Sequence, residues 1–154
     1  MLTVGPHASG DPERRLEMKE ILFATDFSPE SLVAVPYAMS LAQEHQARLT
    51  LLHVVGEPKV GELVHAEQYA ESIMRQLRKL VPEEAEPWCK PQYRVEHGPE
   101  AEKIMEVATA LGADLIVLGV RGAAGGMGAA THLVQSIAHR LVIQARCPVL
   151  TVRG

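Results

Sequence analysis

The chain holds only two cysteines, Cys89 and Cys147, and their spacing makes neither a C-x-x-C pair nor a disulfide framework. That argues against a disulfide-stapled secreted fold and makes a reducing cytoplasm the expected setting. No apolar run approaches the ~20 residues of a membrane-spanning helix, so no membrane partner is expected. Met1–Glu17 carries glycine, proline and charge but no apolar signal core, and reads as a flexible leader (residues 1–17) ahead of one domain over 18–154. An excess of positive charge is missing too. The formal net charge is −4, so the electrostatic footprint of a nucleic-acid binder is absent. Catalytic signatures are equally scarce. There is no H-E-x-x-H, no G-x-S-x-G elbow, no Ser-His-Asp order and no Walker A lysine, and no lysine at all follows Lys103.

What remains is a soluble α/β pattern, with 154 residues and 47% apolar content enough for one real core. Strands are predicted at 20–25, 48–55, 92–97, 114–118 and 148–152. Between them the spacing predicts helices over 28–44, 62–80, 100–111 and 131–145. Ser28 reads as the N-cap of the first helix, with Pro29 at its first position and Pro36 bending it. Its inward residues are Leu32, Val35, Met39 and Ala42. In the second helix, Leu63, Ala66, Ala70, Ile73, Leu77 and Leu80 form one apolar stripe, with Glu67, Glu71, Arg75 and Lys79 on another face. Pro82–Pro91 reads as a loop, with Cys89 a surface thiol beside Lys90. Cys147 reads as a small core residue at a strand start.

The alternation of strand and helix predicts a single-domain, doubly wound, five-stranded parallel sheet in the order 3-2-1-4-5, with helices on both faces. In such a sheet, ligands bind beyond the carboxyl ends of the strands where the winding reverses, between strands 1 and 4. Two suggestive segments meet there. One is Thr25-Asp26 after the first strand. The other is the run Gly119-Val120-Arg121-Gly122-Ala123-Ala124-Gly125-Gly126-Met127-Gly128 after the fourth. Glycines between a strand and a helix let backbone N–H groups approach an anion.

Five segments then carry a resemblance: Ile21-Leu22-Phe23-Ala24-Thr25-Asp26-Phe27-Ser28, Leu51-Leu52-His53-Val54, His97-Gly98-Pro99, Ala113-Asp114-Leu115-Ile116-Val117-Leu118-Gly119 and Arg146-Cys147-Pro148-Val149-Leu150-Thr151-Val152. Singly weak and jointly specific, they run in order across 18–153, and the chain resembles the universal stress proteins. The resemblance implies a cytoplasmic stress-response binding protein, a homodimer and, in many members, ATP held at the switch point. The site it implies here comprises Ala24, Thr25, Asp26, Val54, Gly119, Arg121, Gly122, Gln135, Ser136 and Ile137, with ATP (with or without Mg2+) as the ligand and no resident metal.

The family's nucleotide-binding branch has a signature of Gly, two residues, Gly, nine residues, then Gly before Ser or Thr. Here Gly119 and Gly122 give the first pair, but twelve residues then separate Gly122 from Gln135-Ser136. A register from Gly122 and Gly125 restores the nine-residue gap at the cost of the match after the strand. Both lose the closing glycine to Gln135, whose amide either fills the phosphate space or donates to it.

Other readings stand beside this one. Asp26 is either a ribose or metal-side carboxylate or an Asx-turn residue. Arg121 is either a phosphate partner or a solvated loop residue. Ser136 is either a phosphate donor or a polar helix residue. Val54 lines an adenine pocket, packs as a strand residue, or does both. His53 and His97 end neighbouring strands, but too few ligands converge there for zinc. No base is aimed at a phosphoryl group, so turnover is expected to be slow or absent. The rival functions are a nucleotide-independent dimeric interaction module and a weak ATP hydrolase. The terminal strand, 149–152, is the expected dimer contact, because a short apolar edge invites pairing.

Overall fold

The computed structural model of the chain describes residues 16–56, 66–121 and 129–154, the side chains of residues 66 and 129–136 excepted. Five strands are β1 (Glu20–Ala24), β2 (Arg48–Val55), β3 (Gln92–His97), β4 (Leu115–Val120) and β5 (Val149–Arg153). All pair in parallel, in the order β3-β2-β1-β4-β5. The sequence expectation of 3-2-1-4-5 is therefore met, with β3 and β5 at the edges. The helices are α1 (Pro29–Leu32), α2 (Val35–His45), α3 (Ala66–Arg78), α4 (Glu86–Cys89), α5 (Glu100–Leu111) and α6 (Ala129–Gln144).

Strand side chains alternate between two faces, and each face has its own core. Ile21, Phe23, Leu49, Leu51, Leu115 and Val117 meet Ala38 and Ala42 of α2 and Ile73 and Leu77 of α3. On the opposite face Leu22, Leu52, Ile116 and Leu118 meet Ile104, Val107 and Ala108 of α5 and Leu141 of α6. The two central strands are thus apolar on both sides, whereas β3 has no fully buried residue, as an edge strand allows.

Four expectations need correction. The first helix is not one bent helix but two. Pro36 has no N–H to bond to the carbonyl four residues back, so α1 stops at Leu32 and α2 restarts with Pro36 in its first turn. This re-phases the inward face onto Ser31, Ala34, Ala38 and Ala42, while Leu32, Val35 and Met39 are only partly buried. The segment 82–91 is not an open loop. A 3-10 turn at Glu83–Ala85 runs into α4 and buries Cys89 completely. Next, β4 continues to Val120, two residues past the predicted end, pairing with β5 as far as Arg153. Lastly, Asp114 is not the first residue of that strand but a clamp at its foot. Its carboxylate accepts N–H bonds from Lys19 (2.7 Å) and Glu20 (3.0 Å), fixing the start of β1 against β4. The expected leader lies outside the described residues save for Leu16 and Glu17.

Candidate functional site

The turn after β1 is built from a hydroxyl and a carboxylate. Thr25 is buried, and its Oγ1 accepts from the Phe27 N–H at 2.9 Å and from Ser31 Oγ at 2.7 Å. Asp26 Oδ1 accepts from the Ser28 N–H at 2.9 Å and from Ser28 Oγ at 2.5 Å. Ser28 Oγ in turn accepts from the Ser31 N–H at 3.2 Å, the N-cap foreseen from sequence. These bonds hold Phe27 in the left-handed region (φ 64°), its ring 4.8 Å from that of His53. His53 Nδ1 lies 2.8 Å from the Thr25 carbonyl, so that nitrogen carries the proton and donates. His53 is thereby committed to bracing the turn. Among the described residues, no group of three or more His, Cys, Asp or Glu side chains is placed to hold a metal.

Beyond the carboxyl ends of β1 and β4 lies a cavity of about 260 Å³. Of the candidate residues, Ala24, Asp26, Gly119 and Ile137 line it. Thr25 does not line it but holds Ser31, which does, and Val54 packs with the α5–α6 core without lining it. Arg121 does not line it either, because its guanidinium pairs with Glu30 at 2.8 and 3.1 Å. Gly122 and the side chains of Gln135 and Ser136 lie outside the described residues, although the backbone of residues 135 and 136 belongs to α6. A cavity of about 350 Å³ between the C-terminal ends of α5 and α6 is lined by Met105, Gly112 and Cys147. It sits at the wrong end of the strands for the switch-point rule.

Six lining residues were missed from sequence, Ser31, Glu100, Ile104, Leu118, Val120 and Ala138, and of these only Glu100, the first residue of α5, is charged. Its signal was topological. The crossover helix leading into β4 must begin at the carboxyl edge of the sheet, and that puts its first residue beside the switch point. Burial and then the charge of Asp26 push the Glu100 carboxyl above its ordinary range. A raised folded-state value means that stability is full below the unfolded value and is lost as pH rises through the folded one. Glu100→Gln is therefore expected to raise the melting temperature at pH 8 and to leave it nearly unchanged at pH 4. Thermal scans at the two pH values check this, and a gain of equal size at both would remove it. Glu30 moves the other way: its own backbone N–H and then Arg121 hold its carboxyl low.

Cys89 also departs from expectation. Burial pushes its thiol up, so the neighbouring Lys90 does not activate it. Titration with an aromatic disulfide should find Cys89 silent in the native protein and reactive in denaturant. Rapid native labelling of Cys89 would contradict its burial.

A family model described as "Universal stress protein family" matches residues 17–153. A universal stress protein of Methanocaldococcus jannaschii is 32% identical over 142 residues, covering 88% of this chain and 82% of the relative. Among solved structures, a universal stress protein in complex with cAMP superposes with a TM-score of 0.64 at 23% identity, covering 90% of this chain and 98% of that one. A universal stress protein from Archaeoglobus fulgidus in complex with dAMP gives 0.55 at 17% identity, covering 89% and 98%. At these structural identities the likeness is one of fold.

Proposed function

This chain belongs to the universal stress protein family, and we propose that it is a stress-response binding protein that holds ATP or a related adenine nucleotide in the switch-point cavity. The observation that carries the reading is the meeting of Asp26 from the end of β1 with Gly119 from the end of β4 on one cavity. The fit is chemical. Ile104, Leu118 and Ile137 offer an apolar lining to a purine, and carboxylates accept bonds from ribose hydroxyls. That relatives of the same fold were solved with cAMP and dAMP supports the choice of an adenine nucleotide. Magnesium, where it accompanies ATP, would neutralise phosphate charge; no described residue is assigned to it.

Mass spectrometry of ligand released from untreated protein, with calorimetric titration of MgATP, tests the reading. Co-purified nucleotide or saturable binding at one site per chain is expected. At a hundredfold excess over Kd the bound form should gain about 2.7 kcal/mol, seen as a raised Tm. An empty protein that is silent on titration and unshifted in Tm at millimolar nucleotide would end it.

A second reading, a nucleotide-independent interaction module, is favoured by the engagement of Arg121 with Glu30, which takes a phosphate partner away from the site. The hydrolase reading has Asp26 and Glu100 as its acid–base candidates on the described lining, and slow or absent turnover is the expectation. We place the protein in the cytoplasm on its two free cysteines. No helix among the described residues is long and apolar enough to cross a membrane.

The homodimer forms, in this proposal, through β5. It is an edge strand with partly exposed Leu150 and Thr151, and exposed apolar Val33 lies beside its end at Gly154. Light scattering at micromolar concentration should give twice the chain mass. A monomer would remove the dimer without touching the nucleotide reading.

A further inference from the structure

The switch-point cavity has a charge pattern that the nucleotide reading alone does not require. Among its described lining residues only Asp26 and Glu100 are charged, and none is Lys, Arg or His. Four cations of neighbouring elements are engaged elsewhere, Lys103 of α5 with Glu106 at 3.1 Å among them. Arg121, at the end of β4, is paired with Glu30 of α1 at 2.8 Å. Arg140 of α6 is paired with Glu102 of α5 at 2.5 Å. His53 of β2 holds the Thr25 carbonyl. From α6 itself, Ile137 and Ala138 bring no charge to the lining. Two carboxylates therefore face one small space with no described cation on its wall. Burial, and secondarily the charge of Asp26, push the Glu100 carboxyl up, in keeping with the two sharing one wall.

Resting on the nucleotide reading above, we infer that Glu100 sets the charge class of the ligand: with Asp26 it makes the cavity favour an adenine nucleotide of low negative charge, a nucleoside monophosphate, over a free triphosphate. A ribose suits both carboxylates, since its hydroxyls donate and carboxylates only accept. Phosphates do not suit them. A free triphosphate brings about twice the charge of a monophosphate into the field of the pair, and that repulsion acts through a partly desolvated wall. Magnesium would relieve it by neutralising the phosphates in solution, before the nucleotide enters.

The test is isothermal titration calorimetry of the full chain at low salt and pH 7.5 with AMP, ATP in EDTA, and MgATP. Wild type, Glu100→Gln and Glu100→Ala are compared. Wild type should bind AMP more tightly than free ATP, with MgATP between them. Removing the charge should tighten free ATP about tenfold while moving AMP by less than about threefold. Raising the salt should shrink the wild-type preference. The two variants differ in shape and agree in charge, so the charge effect must appear in both. If free ATP binds wild type as tightly as AMP, or if both variants move the two ligands equally, the charge inference is overturned and nucleotide binding stands. If no nucleotide binds any of the three proteins, the nucleotide reading itself has failed, and this inference with it.

Discussion

Gly119→Val should destabilise the fold by about 3 kcal/mol or more, the upper range for forcing extra carbon into a closed contact. A Cβ at this position would sit 2.4 Å from the Glu30 carbonyl oxygen, 2.5 Å from that of Ser31 and 2.6 Å from the Ser31 Cα. All three are backbone atoms, so no rotamer change relieves the clash; α1 would have to lift off β4. Gly56→Val is the matched control, because no described residue lies within 4 Å of its Cβ. Urea unfolding of both variants decides. If Gly119 served only to bring backbone near phosphates, its variant would unfold at the wild-type midpoint and lose only nucleotide affinity. The geometry gives Gly119 a packing role first, as the residue that lets α1 seat over the end of β4. Any ligand role depends on that seating, since α1 carries Ser31 on the cavity wall.

The sheet was legible because its signals are redundant. Ile21 to Ala24 and Leu115 to Leu118 are apolar at every position, as strands buried on both faces must be, and the polar alternation of Gln92 to His97 marks an edge. Ser28, Pro29 and Gly112 announced helix ends through local chemistry alone. What sequence hid was long-range. Nothing near Asp114 in the chain says that its carboxylate clamps residues 94 and 95 positions away, or that Arg121 is claimed by Glu30 across 91 positions. Cys89 looked exposed because prolines and glutamates surround it, yet the short α4 turns the thiol into the core. The site divides in the same way. Asp26 and Gly119 could be read from their places at strand ends, while Glu100 required knowing where a crossover helix begins. Neither reading of Arg121, phosphate partner or solvated loop residue, foresees the acid that α1 presents to it.

Asp26→Ala should weaken AMP binding by roughly 10- to 100-fold, the loss expected when hydrogen bonds to a charged acceptor disappear. Two readings of Asp26 compete, and its geometry is compatible with both. Its Oδ1 already accepts from the Ser28 N–H and Oγ, so the residue is an Asx-turn support whatever else it does. The residue also lines the cavity, which the turn alone does not demand. Asn keeps a carbonyl oxygen for the turn and removes the charge; Ala removes both. In urea, Ala should therefore cost about 1 kcal/mol, in the range of a lost cap, and Asn clearly less. Calorimetry should show the contrary pattern for a ribose-binding carboxylate, with both variants impaired because each has lost the anionic acceptor. A ligand role is refuted if Asn binds nucleotide like wild type and Ala fails only in proportion to its instability. Any metal-dependent phosphate release must also vanish in Asp26→Ala to belong to this site, and release that persists there marks a contaminant and removes the hydrolase reading.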